Sequence, residues 1–284
     1  MTTFGQRLRD ALAEHGPLCV GIDPHASLLE AWGLDAGAAG TREFGLRVVE
    51  AAAGRVGVVK PQVSFFERFG SAGFAALEDV LSAARAAGLV VIADAKRGDI
   101  GTTMEGYTAA WLHPGSPLEA DAVTLSPYLG PDSLQKTLTT ALRLDKGAFI
   151  LAATSNPEAL PVQTALTVDA AADEGQRVAE RVARDAGWYN VGLPGALGSI
   201  GVVVGATVDR AAFGLSDIVL AGTPILAPGF GAQGAAPADL KRRFGYVAAN
   251  VVASESRSIL SAGPGDIAAR IRQRADLYRE SLDG

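Results

Sequence analysis

Leu89-Val90-Val91-Ile92-Ala93-Asp94-Ala95-Lys96 is an apolar, β-branched run that ends in an acid and a base. Its length and composition are those of a strand buried in a parallel sheet. Side chains alternate along a strand, so Val90, Ile92, Asp94 and Lys96 share one face. Leu89, Val91, Ala93 and Ala95 share the other. Asp94 and Lys96 therefore point the same way at the C-terminal end of the run.

Seven further runs of strand length lie at 18–22, 56–60, 122–125, 148–154, 200–206, 224–227 and 246–253. Between them, 43–53, 72–87, 133–144, 173–186 and 266–282 read as amphipathic helices. Apolar strands alternating with helices predict a parallel sheet covered by helices, an α/β fold. Eight strands favour closure into a (β/α)8 TIM barrel, a single domain over 1–284 with an extended insert around 158–199. A barrel of this type typically needs roughly 250 residues. The G-x-G-x-x-G pattern of a dinucleotide fold is absent after the first strand, where Gly21-Ile22-Asp23-Pro24 follows instead.

The 284 residues are 48% hydrophobic, enough for a large core. A net charge of −6 gives no global attraction to nucleic acid or an anionic membrane, so an anionic ligand needs a local positive site. Cys19 is the only cysteine, which excludes an internal disulfide and suits a reducing, cytoplasmic compartment. Neither a signal peptide nor a membrane span is predicted. His15, His25 and His113 show no ligand spacing, so no metal and no cofactor is expected.

Barrel enzymes carry their sites at the C-terminal ends of the strands. The first strand ends at Asp23, the second at Lys60 and the third at Asp94 and Lys96, with Asp99 in the loop beyond. Neighbouring strands thus bring acid and base into alternation. Such charges could form a salt-bridge network at a solvated rim. Gathered at one end of a barrel, they instead predict a catalytic cluster. Nearby carboxylates favour the charged form of a lysine. A positioned ammonium is a general acid and a poor Schiff-base nucleophile. On the far side, strand seven runs into Pro228-Gly229-Phe230-Gly231-Ala232-Gln233-Gly234, and strand eight is followed by Ser256-Arg257-Ser258. Glycines let backbone N–H groups approach an oxyanion, and an arginine fork suits phosphate. Together they predict a phosphate site after strands seven and eight.

Asp94-Ala95-Lys96-Arg97-Gly98-Asp99-Ile100 resembles the D-x-K-x-x-D-I signature of the orotidine 5′-phosphate decarboxylases. Gly21-Ile22-Asp23-Pro24, Val59-Lys60-Pro61-Gln62, Ala153-Thr154-Ser155-Asn156-Pro157, Val203-Val204-Gly205-Ala206-Thr207 and the two phosphate-site segments resemble the rest of the family pattern in order. The long stretch from Glu158 to Ser199 resembles the longer-chain bacterial-type subgroup. The resemblance implies cofactor-free conversion of orotidine 5′-phosphate to uridine 5′-phosphate (UMP) in pyrimidine biosynthesis. It implies that Lys96 protonates C6, that Asp94 faces the substrate carboxylate, and that Asp23 and Lys60 hold the ribose. Ser155 would bind the pyrimidine and Gln233 would bridge base and phosphate. Pro228 and Gly234 would line the phosphate turn, and Arg257 would bind the phosphate. Asp99, Ile100 and Thr103 would enter the neighbouring site of a homodimer. Where some members carry a tyrosine in the phosphate loop, Phe230 and alanines stand here. Arg97 reads as an outward surface charge. Two alternatives stay open: a metal-dependent sugar-phosphate decarboxylase or synthase on the same scaffold, which would not need the Ser155 and Gln233 pair, and a non-catalytic nucleotide-phosphate binding protein.

Overall fold

A computed structural model describes residues 2–168 and 175–283. Its strands are β1 (Leu18–Ile22), β2 (Val58–Pro61), β3 (Val90–Arg97), β4 (Ala122–Leu125), β5 (Gly147–Ala153), β6 (Ile200–Val204), β7 (Ile225–Pro228) and β8 (Val251–Glu255). They pair in sequence order, all parallel, and β8 closes on β1. The predicted TIM barrel is the observed fold.

Strand alternation divides the core in two. Cys19, Val58, Ile92, Phe149, Leu226 and Val252 point into the barrel. Val20, Val59, Val91, Val123, Val202 and Val251 point outward beneath the helices. One end of the interior is plugged by the helix Phe4–His15, whose Phe4, Leu8 and Leu12 follow an i, i+4, i+8 stripe. The Thr3 hydroxyl caps this helix, accepting from the Gln6 N–H at 3.2 Å. Phe4 meets Phe149 edge-on at 6.2 Å, and the Gly5 N–H donates to Ser199 Oγ at 3.0 Å just before β6. The plug therefore sits at the N-terminal ends of the strands and leaves the C-terminal mouth open.

Four predicted helices occur as Ala38–Ala52, Gly70–Ala86, Gln135–Arg143 and Gly263–Asp283. Of the predicted helix 173–186, residues 173 and 174 lie outside the described residues, and the observed helix is Val178–Trp188. Within the 158–199 stretch an antiparallel bridge joins Leu166 to Arg177, and the Asn190 side chain binds the backbone of Ser199 and Ile200. The helix Gly101–Leu112 was not predicted. Its threonines and Gly106 dilute the apolar stripe, and only Met104, Thr108, Trp111 and Leu112 are buried.

The eighth strand differs from expectation. Residues 245–250 form a 3₁₀ turn, Tyr246 is 96% exposed, and pairing with β7 begins at Val251. Gly245 turns the chain at φ 55°, so Tyr246 never enters the sheet.

This later start places Glu255 at the end of β8, 1% exposed. Its carboxylate accepts from Ser258 Oγ at 2.7 Å and from the Tyr278 hydroxyl at 2.6 Å. The Arg274 guanidinium binds both its oxygens. The C-terminal helix is thus tied to the barrel through a buried ion pair. Burial, reinforced by the Glu255 carboxylate, pushes the Tyr278 hydroxyl far above its ordinary range. Removing one partner of a buried pair leaves the others desolvated and unpaired. Glu255→Ala is therefore expected to lower the free energy of unfolding by about 3–5 kcal/mol. Urea unfolding checks this, and a loss below about 1 kcal/mol, the range of exposed pairs, would contradict it.

Candidate active site

β2 and β3 deliver the central group. Lys60 and Asp94 are both buried, and Lys60 Nζ lies 2.8 Å from Asp94 Oδ2. Lys96 Nζ lies 2.6 Å from Asp94 Oδ1. One carboxylate thus sits between two ammonium groups. Burial opposes the charged form of both Asp94 and Lys60, but the mutual attraction is stronger. Lys60 and Lys96 hold the Asp94 carboxyl well below the usual carboxylate range. Asp94 and then Asp23 hold the Lys60 ammonium above its ordinary value.

Plain strand alternation places Lys96 beside Asp94, but the chain reaches that arrangement by another route. Ala93 pairs with Val123 and Arg97 with Leu125, so three residues of β3 face the single residue Thr124. Lys96 occupies this bulge with φ 48°, a left-handed conformation uncommon for lysine. Its N–H donates to Thr124 Oγ1 at 2.9 Å, and the Thr124 hydroxyl donates to Asp94 Oδ1 at 2.9 Å.

These groups form one wall of a cavity of about 300 Å3 at the barrel mouth. Asp23, Lys60, Asp94 and Lys96 line it from β1 to β3. Ser155, Pro228, Gln233 and Arg257 line it from the far side. Among the described residues Asp23 Oδ1 is buried with no hydrogen-bond partner, an acceptor suited to a ligand hydroxyl. Among the described residues nothing pairs with the Arg257 guanidinium. Gly229 and Gly231 take φ 116° and 70° in the turn beside it. A Cβ on Gly231 would lie 2.2 Å from Ser258 Oγ, so only glycine fits there. Phe230 is buried edge-on against Tyr278 at 5.5 Å and offers the cavity no hydroxyl.

Four expected site residues do not line this cavity: Asp99, Ile100, Thr103 and Gly234. Gly234 ends the turn Gly231–Gln233 at φ 105°. Asp99 accepts from the Ile100 N–H at 2.8 Å, and Ile100 is 62% exposed. Arg97 is not a plain surface charge. It pairs with Glu67 at 2.9 Å and lies over the rings of Tyr107 and Trp111 at 5.5 and 5.9 Å. Those flat rings offered the guanidinium a packing surface that local sequence does not reveal.

Gln62 and Thr124 were missed. Gln62 Nε2 donates to the Asp94 carbonyl at 3.3 Å. Thr124 is the polar residue of the Ala122-Val123-Thr124-Leu125 run, on its inward face with Ala122, so parity applied to β4 would have found it. Cys19, in the layer beneath, is pushed up to about 12 by burial, which leaves the thiol protonated and unreactive. Among the described residues no group of three or more His, Cys, Asp or Glu side chains could hold a metal ion.

A closed parallel barrel with a lysine–aspartate–lysine cluster facing a glycine turn and an arginine across one cavity defines the class of barrel enzymes that act on phosphorylated ligands. Within that class, residues 16–271 match the orotidine 5′-phosphate decarboxylase / HUMPS family, and the chain belongs to it. A relative named orotidine 5′-phosphate decarboxylase from Streptomyces coelicolor is 50% identical over 98% of this chain and 96% of its own. A crystal structure from Streptomyces avermitilis, provisionally given the same name, has a TM-score of 0.93 and 47% identity, covering 100% of this chain and 97% of that one. The Leishmania donovani OMP decarboxylase structure has a TM-score of 0.74 and 32% identity, covering 98% and 99%.

Proposed function

We propose that this chain is a carboxy-lyase that converts orotidine 5′-phosphate to UMP in pyrimidine biosynthesis, without a cofactor. The observation that carries the reading is the Asp94 carboxylate held between Lys60 and Lys96, across one cavity from Arg257. The reaction breaks the bond from C6 to the carboxylate carbon, releases carbon dioxide and leaves an electron pair on C6. No adjacent carbonyl can absorb that pair, so stabilisation must be electrostatic. Lys96 supplies the positive charge and then the proton that C6 takes. Asp94 faces the substrate carboxylate and aims Lys96 at C6. Asp23, with its unpartnered oxygen, and Lys60 take the ribose hydroxyls. Ser155 takes the pyrimidine, Gln233 spans base and phosphate, and Arg257 takes the phosphate beside the turn that carries Pro228 and Gly234.

The working unit in this reading is a homodimer. Asp99, Ile100 and Thr103 lie outside their own cavity, which suits a role in the neighbouring one. The loops after β3 and β4 run side by side, joined by the Ser126 N–H to the Arg97 carbonyl at 2.8 Å. Ile100, Tyr128 and Leu129 on these loops are exposed, and in this reading a second copy covers them. In this reading the chain works in the cytoplasm, a reducing compartment that suits the free, buried Cys19. No described helix is long and apolar enough to cross a membrane.

Incubation with orotidine 5′-phosphate, followed by ultraviolet absorbance, tests the function. Loss of the substrate band with release of UMP is expected, undiminished by a strong chelator. Absence of turnover by folded protein would sink the reading, and chelator-sensitive turnover would favour metal-dependent chemistry.

A further inference from the structure

We propose that Thr124 is a positioning residue that fixes the Lys96 ammonium against Asp94, an inference that rests on the decarboxylase reading. Thr124 stands alone opposite the β3 bulge, between the pairs Ala93–Val123 and Arg97–Leu125. Both capacities of its hydroxyl are spent there. It accepts from the Lys96 N–H and donates to Asp94 Oδ1, each at 2.9 Å. The same Asp94 oxygen takes the Lys96 ammonium at 2.6 Å. Thr124 thus holds the root of the Lys96 side chain by the backbone and its tip through Asp94.

Such a hold is needed because Lys96 is in a poor conformation on its own account. A side chain at φ 48° crowds its own backbone, and such strain persists only where surroundings impose it. The ladder hydrogen bonds that would keep an ordinary strand residue in register are interrupted at this bulge. The Lys96 side chain is also 46% exposed, against 7% for Lys60, so packing does not fix it. Lys60 reaches the other Asp94 oxygen from the neighbouring strand. Thr124 is a buried hydroxyl that binds both ends of the device, and it comes from β4, outside the charged motif.

Removing the hydroxyl while keeping the volume separates positioning from packing. Thr124→Val is expected to lower kcat about 10- to 100-fold, the size of one hydrogen bond to a charged group. KM and UMP binding by calorimetry should stay within about threefold, because the cavity walls are unchanged. Thr124→Ser, which keeps the hydroxyl, should restore kcat to within about threefold of the parent. Crystal structures of both variants read the geometry directly, whether or not the chain turns over orotidine 5′-phosphate. In Thr124→Val the Lys96 ammonium should leave Asp94 or the bulge should relax to negative φ. In Thr124→Ser both should stay. An unchanged kcat in Thr124→Val, an equal loss in both variants, or an unmoved Lys96 in the valine crystal would overturn the proposal. Failure of the parent chain to turn over substrate would instead overturn the decarboxylase reading and leave the crystallographic comparison to decide the role of Thr124.

Discussion

Lys96→Ala is expected to lose turnover by on the order of 10⁴-fold or more, because one side chain supplies both the fixed charge and the proton. Nucleotide binding should survive. Lys96 is half-exposed, whereas the opposite wall, with Gln233 and Arg257, is untouched by the change. The fold should survive as well, since Asp94 keeps Lys60 at 2.8 Å and the Thr124 hydroxyl at 2.9 Å. UMP titration and single-turnover kinetics separate the two effects. Retained turnover would remove Lys96 as proton donor, and lost binding would make it a ligand-holding group. The same variant tests the dimer. Mixed with Asp99→Ala chains, it should recover activity, because a hybrid pair carries one site with both an intact Lys96 and an intact Asp99. No recovery after proven subunit exchange would count against a shared site.

The sequence carried the barrel and most of its site because both depend on local pattern. Strand alternation placed Asp94 and Lys96 on one face, and barrel geometry placed the strand ends at one mouth. Cavity-lining Asp23, Lys60, Asp94, Lys96, Ser155, Pro228, Gln233 and Arg257 were all readable in this way or by family resemblance. What escaped depends on contacts between distant segments. The bulge at Lys96 exists through a hydroxyl on β4, and no local pattern in β3 marks it. Arg97 looked outward because the rings that cover it belong to a helix whose apolar stripe is weak. The Phe4–His15 helix was overlooked for a related reason. Its buried Phe4, Leu8 and Leu12 are spaced four apart and separated by charges, a face that makes sense only once the barrel interior it plugs is known. Asp99 is the opposite case. Resemblance alone gave it a role, and within one chain it merely caps its own loop.

Asp94→Ala should strike stability and activity together, with a pH signature that identifies the cause. In the parent, Asp94 is held below the ordinary carboxylate value of about 3.9, so its contribution is fully present above that pH and is lost as pH falls through the lower folded value. Lys60 is held above its ordinary value of about 10.4, so its contribution is complete below that pH and is lost only as pH rises through the folded value. Between about pH 5 and 9 the pair therefore adds no slope to the stability curve. Without Asp94, burial becomes the dominant influence on Lys60, opposed only by the weaker pull of Asp23. The buried ammonium then costs about 3–5 kcal/mol near neutral pH. Its folded-state affinity for a proton falls below the unfolded value, so the unfolded chain binds more protons and stability rises with pH. Urea unfolding at pH 5, 7 and 9 should show a flat contribution in the parent and a rising curve in Asp94→Ala. Turnover should fall at least about 100-fold at every pH, since Lys96 loses the group that aims it. A variant as stable as the parent, or one without the rising slope, would show that the Lys60–Asp94 pair is solvated rather than buried, and the electrostatic account of the site would fail with it.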